Sequence, residues 1–174
     1  MANTTTAKIE EHIEMAKERL FGLVGINVTS GIHKEREGDE YGACTFELND
    51  HPVCFRVAKI TPRKNGQFLT LWRRVAGKII PLQEDDPAHL FIVSVQDGER
   101  FGQFVFPKNI LCERKILKSQ RGVGKLAMRV YPAWVNTESK QASITQNWQL
   151  QYFIDASPGV ILDLKKAKDL FKCR

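Results

Sequence analysis

Apolar residues keep a helical period at the start of the chain and a strand period over most of the remainder. Ile9, Ile13, Ala16 and Leu20 form one helical stripe, with Glu10, Glu11, Glu14, Lys17 and Glu18 opposite, so residues 7–21 read as a packing helix. Thr4, Thr5 and Thr6 offer N-cap oxygens, and acids in the first turns suit the helix dipole. Residues 22–39, with four glycines, read as a weak strand and a loop. Residues 40–48 alternate as a strand, with Tyr41, Phe46 and Leu48 inward, and Asn49, Asp50, His51 and Pro52 are turn material. Residues 56–74 read as one hairpin. Phe55, Val57 and Ile60 lie on one side of Asn65-Gly66, and Phe68, Leu69, Leu71 and Trp72 on the other; Asn-Gly readily supplies two residues at positive φ. Ala76-Gly77-Lys78 makes a further turn.

Residues 90–95 are continuously apolar, which suits a strand buried on both faces. Asp97-Gly98 turns the chain into a strand over 101–106 that Pro107 ends. Residues 108–117 read as a short helix, 119–124 as a basic loop and 128–131 as a strand stopped by Pro132. A helix over 139–153 would place Ile144, Trp148 and Tyr152 on one face, and a basic helix over 164–168 closes the chain. The order gives an α/β fold with a sheet of about five strands. No linker composition interrupts residues 1–174, so one domain is expected.

Length adds that 174 residues can bury roughly 70% of the extended surface, so no disulfide or metal staple is needed. Cys44, Cys54, Cys112 and Cys173 are widely spaced and read as reduced, buried thiols. No apolar run is long enough to span a membrane, and the N-terminus lacks a signal core, so a cytoplasmic protein with no membrane partner is expected. Histidines at 12, 33, 51 and 89 form no metal-binding pattern, and neither a nucleophile elbow nor a Walker loop is present.

Charge changes the picture more. Residues 51–81 carry seven basic side chains and no acid, and residues 108–130 carry seven against Glu113 alone. The first 50 residues carry ten acids against five bases, and residues 82–107 five acids against Arg100. Two basic blocks brought together would make an anion-facing patch. The plainer reading is solvated strand edges, which often carry lysine to discourage pairing.

Five ordered strings carry a resemblance. The first runs from Glu40 and Tyr41 through Ala43, Cys44, Thr45 and Phe46. The second holds Arg56, Ala58, Lys59, Thr61, Pro62, Lys64, Gly66, Gln67, Phe68, Thr70, Leu71 and Trp72. Then come Gly102-Gln103-Phe104-Val105-Phe106-Pro107-Lys108, Gly124-Lys125 with Arg129-Val130-Tyr131-Pro132 and Trp134, and Gln141-Ala142 with Thr145, Gln146, Trp148 and Gln149. Over residues 10–154 the chain resembles the MepB family of small bacterial proteins; residues 155–174 form an extension outside the match. The resemblance implies a restriction-endonuclease-like fold, a central mixed sheet flanked by helices.

Nucleases of that class hold Mg²⁺ or Mn²⁺ with two carboxylates on neighbouring strands and activate water with a nearby lysine, because a hard cation needs oxygen ligands and must reach phosphate. Here Lys59 is suitably placed, but Val57 stands where an acid is expected. Glu40 with Lys59 is the candidate catalytic pair, and Glu47 and Asp50 are the candidate metal ligands; Asp97 and the Asp85-Asp86 pair are further carboxylates. Equally, Glu40 facing Lys59 across a sheet is what a surface ion pair looks like.

Binding without cleavage asks for cations on one face with aromatic and amide groups among them. Arg56, Lys64, Arg73, Arg74, Lys108, Lys125 and Arg129 are the candidate phosphate contacts, with Gln67 and Trp134 as base-facing groups. Trp72 and Trp148 lie on apolar faces and read as core. A nucleic-acid-binding protein, DNA or RNA, is the leading expectation. The alternatives are a non-catalytic pocket for a nucleotide or small anion, built from Arg56, Lys59, Lys125, Arg129, Gln67 and Trp134, and a regulatory module whose basic surface meets an acidic protein.

Overall fold

A computed structural model describes residues 4–172. Cys173 and the side chains of Thr4, Thr5 and Thr6 lie outside the described residues. The predicted first helix is present as α1 (Thr4–Ala16), continued by a wider π turn over Lys17–Phe21 and by α2 (Gly22–Val24). Its stripe is buried as predicted: Ile9, Ile13, Ala16 and Leu20 are at most 1% exposed. Gly25, left-handed at φ +74°, ends the run, and the Ile26 N–H closes back on Phe21 O at 2.9 Å.

Six strands form the central sheet: β1 (His33–Lys34), β2 (Cys44–Leu48), β3 (His51–Val57), then β8 (Leu90–Asp97), β9 (Arg100–Pro107) and β13 (Phe153–Asp155). They lie in the order β1-β2-β3-β8-β9-β13. Every pairing is antiparallel except β3 with β8, so the sheet is mixed. Between β3 and β8 the chain makes β4 (Lys59–Thr61), β5 (Lys64–Thr70), β6 (Trp72–Val75) and β7 (Lys78–Pro81). After β9 come α3 (Lys108–Glu113), the small hairpin of β10 (Lys118–Ser119) and β11 (Gly122–Val123), β12 (Ala127–Val130) and α4 (Lys140–Gln149); after β13 comes α5 (Leu164–Phe171). Strands β12, β5 and β4 make a second, three-stranded sheet, and β6 with β7 a separate ribbon.

Strand alternation builds a core on each face of the central sheet. Val53, Phe55, Val57, Ile92 and Val105 pack with α1 and α5 on one side. Cys54, Phe91, Val93, Phe104 and Phe106 pack on the other, against the second sheet, α3 and α4. Each fully buried phenylalanine here contributes about 2–3 kcal/mol. Strand β8 is buried on both faces as its apolar run predicts, with residues 90–95 all buried. Among the described residues no helix is long and apolar enough to cross a membrane.

Several boundaries differ from the sequence reading, each for a local reason. The ribbon read over 56–74 is divided: Arg56 and Val57 belong to the central sheet, residues 59–70 to the second, and Trp72 to the β6–β7 ribbon. Its turn is Pro62-Arg63, since Thr61 pairs with Lys64. Asn65-Gly66 instead forms a bulge within β5, with Gly66 at φ +79° and packed so closely on Tyr131 and Val130 O that an added Cβ would come within 2.7 Å of both. His51 and Pro52 begin β3, because Asn49 and Asp50, both at positive φ, complete that turn alone. Helix α3 stops at Glu113. The helix predicted over 139–153 starts on the Ser139 cap, whose Oγ accepts from Ala142 N at 3.1 Å, and ends at Gln149; Leu150–Tyr152 make a 3-10 turn and Phe153 begins β13. Ile144 is exposed rather than packed.

Candidate functional site

In the second sheet, Lys59 on β4, Phe68 on β5 and Arg129 on β12 stand directly opposite one another. Opposed residues share a face, and Gln67, Leu69, Met128 and Val130 are buried on the other one, so this row lies on the outer face. Lys59 Nζ is 5.0 Å from the centre of the Tyr41 ring, Arg129 lies 5.6 Å from that of Phe68, and the two rings meet edge-on at 5.8 Å. Cations on aromatic faces at such distances gain about 0.5–1 kcal/mol where exposed. Arg129 Nη1 also donates to Thr61 Oγ1 at 3.0 Å and reaches the carbonyls of Lys64, Asn65 and Gly66 at 3.3–3.4 Å, clasping the β5 bulge.

Beside this row, at the C-terminal ends of the parallel strands β3 and β8, lies an open recess of about 440 Å³. Open α/β sheets bind ligands at such strand ends. Lys8, His12, Lys59, Gln96 and Asp97 line it. Burial, and then the charge of Lys59, lower the Lys8 ammonium from its ordinary value, so two like charges share this recess. His12 closes the bottom, 1% exposed, with Nδ1 2.8 Å from Ser94 Oγ. Burial, helped by Lys8, pushes its pKa down to about 4, so the imidazole is neutral at pH 7.

Glu40 and Lys59 do meet: Nζ donates to Oε2 at 3.3 Å, with the Glu40 side chain 66% exposed. Such a pair contributes at most ~1 kcal/mol. Burial, then the hydrogen bond and charge of Glu40, raise the Tyr41 phenol. Glu47 and Asp50 do not join them. Glu47 pairs with Pro52, and Asp50 turns the chain into β3, so both lie roughly 20 Å or more of extended chain from Lys59. Among the described residues no three His, Cys, Asp or Glu side chains come together to hold an ion. The proposed carboxylates do not fit a divalent metal beside Lys59.

The remaining candidates are placed for different work. Arg56, 1% exposed, donates to Phe55 O at 2.9 Å and to Glu35 Oε2 at 2.8 Å, with Nε 3.3 Å from Thr70 O. Its strand parity puts it inside with Cys54 and Ala58. Gln67, also 1% exposed, donates to Gln96 O at 3.2 Å. Neither can reach a polymer, and the nucleotide pocket expected around Arg56, Gln67 and Trp134 is not assembled. Trp134 packs edge-on against Phe153 at 5.6 Å, and its Nε1 is buried without a partner. Trp148 is core, as expected, while Trp72 is half-buried under Arg74. Arg73 pairs with Asp86, Arg74 lies 4.0 Å from Glu37, and Lys108 Nζ donates to Asp86 O at 2.5 Å. Arg63, Lys64 and Lys125 are exposed. Lys8 escaped the sequence reading; its place four residues before His12, on one helix face, was the available signal.

A family model, MepB-like, matches residues 35–155. The chain belongs to the MepB-like family. A solved structure described as the crystal structure of MepB is similar over 82% of this chain and 95% of its own, with 32% sequence identity and a TM-score of 0.71. No curated protein matches the chain. Within this MepB-like chain the family match spans β2 to β13 and so contains Lys59, Phe68 and Arg129, whereas Lys8 and His12 come from the helix ahead of it.

Proposed function

We propose that this MepB-like protein binds nucleic acid on the outer face of its second sheet and in the adjoining recess, without a hydrolytic step. The observation that supports this reading is the apposition of Lys8 and Lys59 at the ends of β3 and β8, continued by Arg129 in the same row and by Arg63 and Lys64 at the hairpin tip. Lys125, exposed in the loop just ahead of β12, is a further cation next to it. Six cations against Glu40 and Asp97 leave a positive face, and a phosphate backbone is the polymer that suits it. Phe68, half-buried, adds an aromatic edge for an unpaired base. The finer fold assignment, restriction-endonuclease-like, belongs to the same proposal: a mixed sheet with one parallel pair and flanking helices supports it.

Fluorescence polarisation with labelled single- and double-stranded DNA and RNA between 50 and 200 mM salt tests the reading. Six phosphate contacts give a slope of log K against log salt of about −4 for a single strand and about −5 for a duplex, and Lys59→Ala with Lys64→Ala flattens it by about 1.5 to 2. A slope near zero overturns it. Cleavage in Mg²⁺ or Mn²⁺ that Lys59→Ala abolishes overturns the non-hydrolytic part.

A further inference from the structure

A second cavity, about 460 Å³, lies away from the Lys59 recess, between the central sheet and the β6–β7 ribbon. Cys54, Leu82, Ala88 and Phe91 give it an apolar interior, each at most 6% exposed. Arg73, Arg74, Glu37 and Asp86 stand around it. The carboxylates are already matched: Glu35 to Arg56, Asp86 to Arg73, and Glu37 more loosely to Arg74.

Arg73 is the informative residue. Its Nη1 pairs with Asp86, whereas its Nε–H is buried and has no acceptor. Nε and Nη2 form the side of a guanidinium that grips two oxygens of one carboxylate or phosphate. A buried donor without an acceptor is unfavourable, so an oxygen brought to it by a ligand would be favoured there. The volume falls within the range of small-molecule sites, and an apolar interior with few polar groups is their usual composition.

We infer that this cavity binds a small molecule carrying one oxyanion on an apolar body, the oxyanion seated on the Nε–Nη2 edge of Arg73 and the body on Cys54, Ala88 and Phe91. A carboxylate and a phosphate monoester share that chemistry. The site differs from the proposed nucleic-acid face in both residues and position.

Isothermal titration with phenylacetate, phenyl phosphate and inorganic phosphate, together with methyl NMR of Leu82 and Ala88, tests the assignment. One or both phenyl compounds should bind, shift both methyl signals, and bind at least tenfold more tightly than inorganic phosphate, which lacks the body. Which of the two binds decides between carboxylate and phosphate. Arg73→Gln should weaken binding at least tenfold and Lys59→Ala should leave it unchanged. If Arg73→Gln does not fold by circular dichroism, Arg73→Lys, which keeps the charge without the fork, should give the same loss. Absence of binding by both phenyl compounds, binding indifferent to Arg73, or binding abolished by Lys59→Ala overturns the inference, and none of these outcomes bears on the salt slope with oligonucleotides.

Discussion

Arg56 Nη2 donates to Glu35 Oε2 at 2.8 Å beneath the β3 strand, so the cation at the start of the basic block faces inward. The pair holds the loop after β1 against the central sheet and leaves Arg56 only 1% exposed. Removing the acid strands a buried guanidinium. Glu35→Ala should destabilise the fold by about 3 kcal/mol, near the low end for a broken buried pair because Glu35 itself is partly exposed. Urea melts check this, with Glu40→Ala as the comparison. The exposed Glu40–Lys59 pair should change stability by no more than ~1 kcal/mol.

His12 should make stability depend on pH. Its folded pKa of about 4 lies below the ordinary 6.5, so the unfolded chain binds the extra proton between those values. The contribution is complete above pH 6.5 and is lost as pH falls towards 4, and it totals roughly 3 kcal/mol. Melts from pH 7.5 to 5 should show the decline in the parent protein and a flatter profile in His12→Gln.

Gly66→Ala should be among the more damaging small substitutions. Alanine would have to adopt φ +79° and place its Cβ within 2.7 Å of Tyr131 Cδ1 and Val130 O. A loss of at least ~2 kcal/mol is expected from strain and displacement together. Thermal melts measure it, and loss of the Tyr131 ring-proton shifts would locate the damage at the bulge.

The thiols should be inert in the native state. Burial raises Cys44 to about 12 and Cys54 to about 11, with Arg56 opposing the rise in both. Thiolate is the reactive form. Iodoacetamide at pH 8 followed by peptide mass mapping should leave both unmodified until denaturant is added.

The pattern of apolar residues was enough to find α1 from its helical stripe, β2 from alternation, and β8 and β9 from apolar runs that the sheet buries on both faces. Less legible was where the strand run near residue 58 changes sheets. Ala58 continues the alternation and its N–H still bonds Ser94 O on β8, so the chain leaves the central sheet only at Lys59, which pairs with Phe68. Of the two residues expected at positive φ, Gly66 has it and Asn65 does not; a bulge needs one such residue as a turn does, and Pro62 is the better turn marker. Among the site residues, Lys59 and Lys64 of the first basic block and Arg129 of the second do lie together. Arg56 and Gln67 do not, since residue type says little about which face of a strand points inward. Parity with Cys54 and Leu69 carried that information.

The parallel pairing of β3 with β8 requires a crossover, usually a helix, and here residues 58–89 supply it with two hairpins, β4–β5 and β6–β7. A hairpin closes within microseconds and needs no distant partner. Much of the basic surface can therefore take shape locally, shortening the effective loop before β8 docks on β3. The pairing of β12 with β5 is the long-range step for this surface: it sets Arg129 beside Phe68, opposite Lys59, and completes the cationic row.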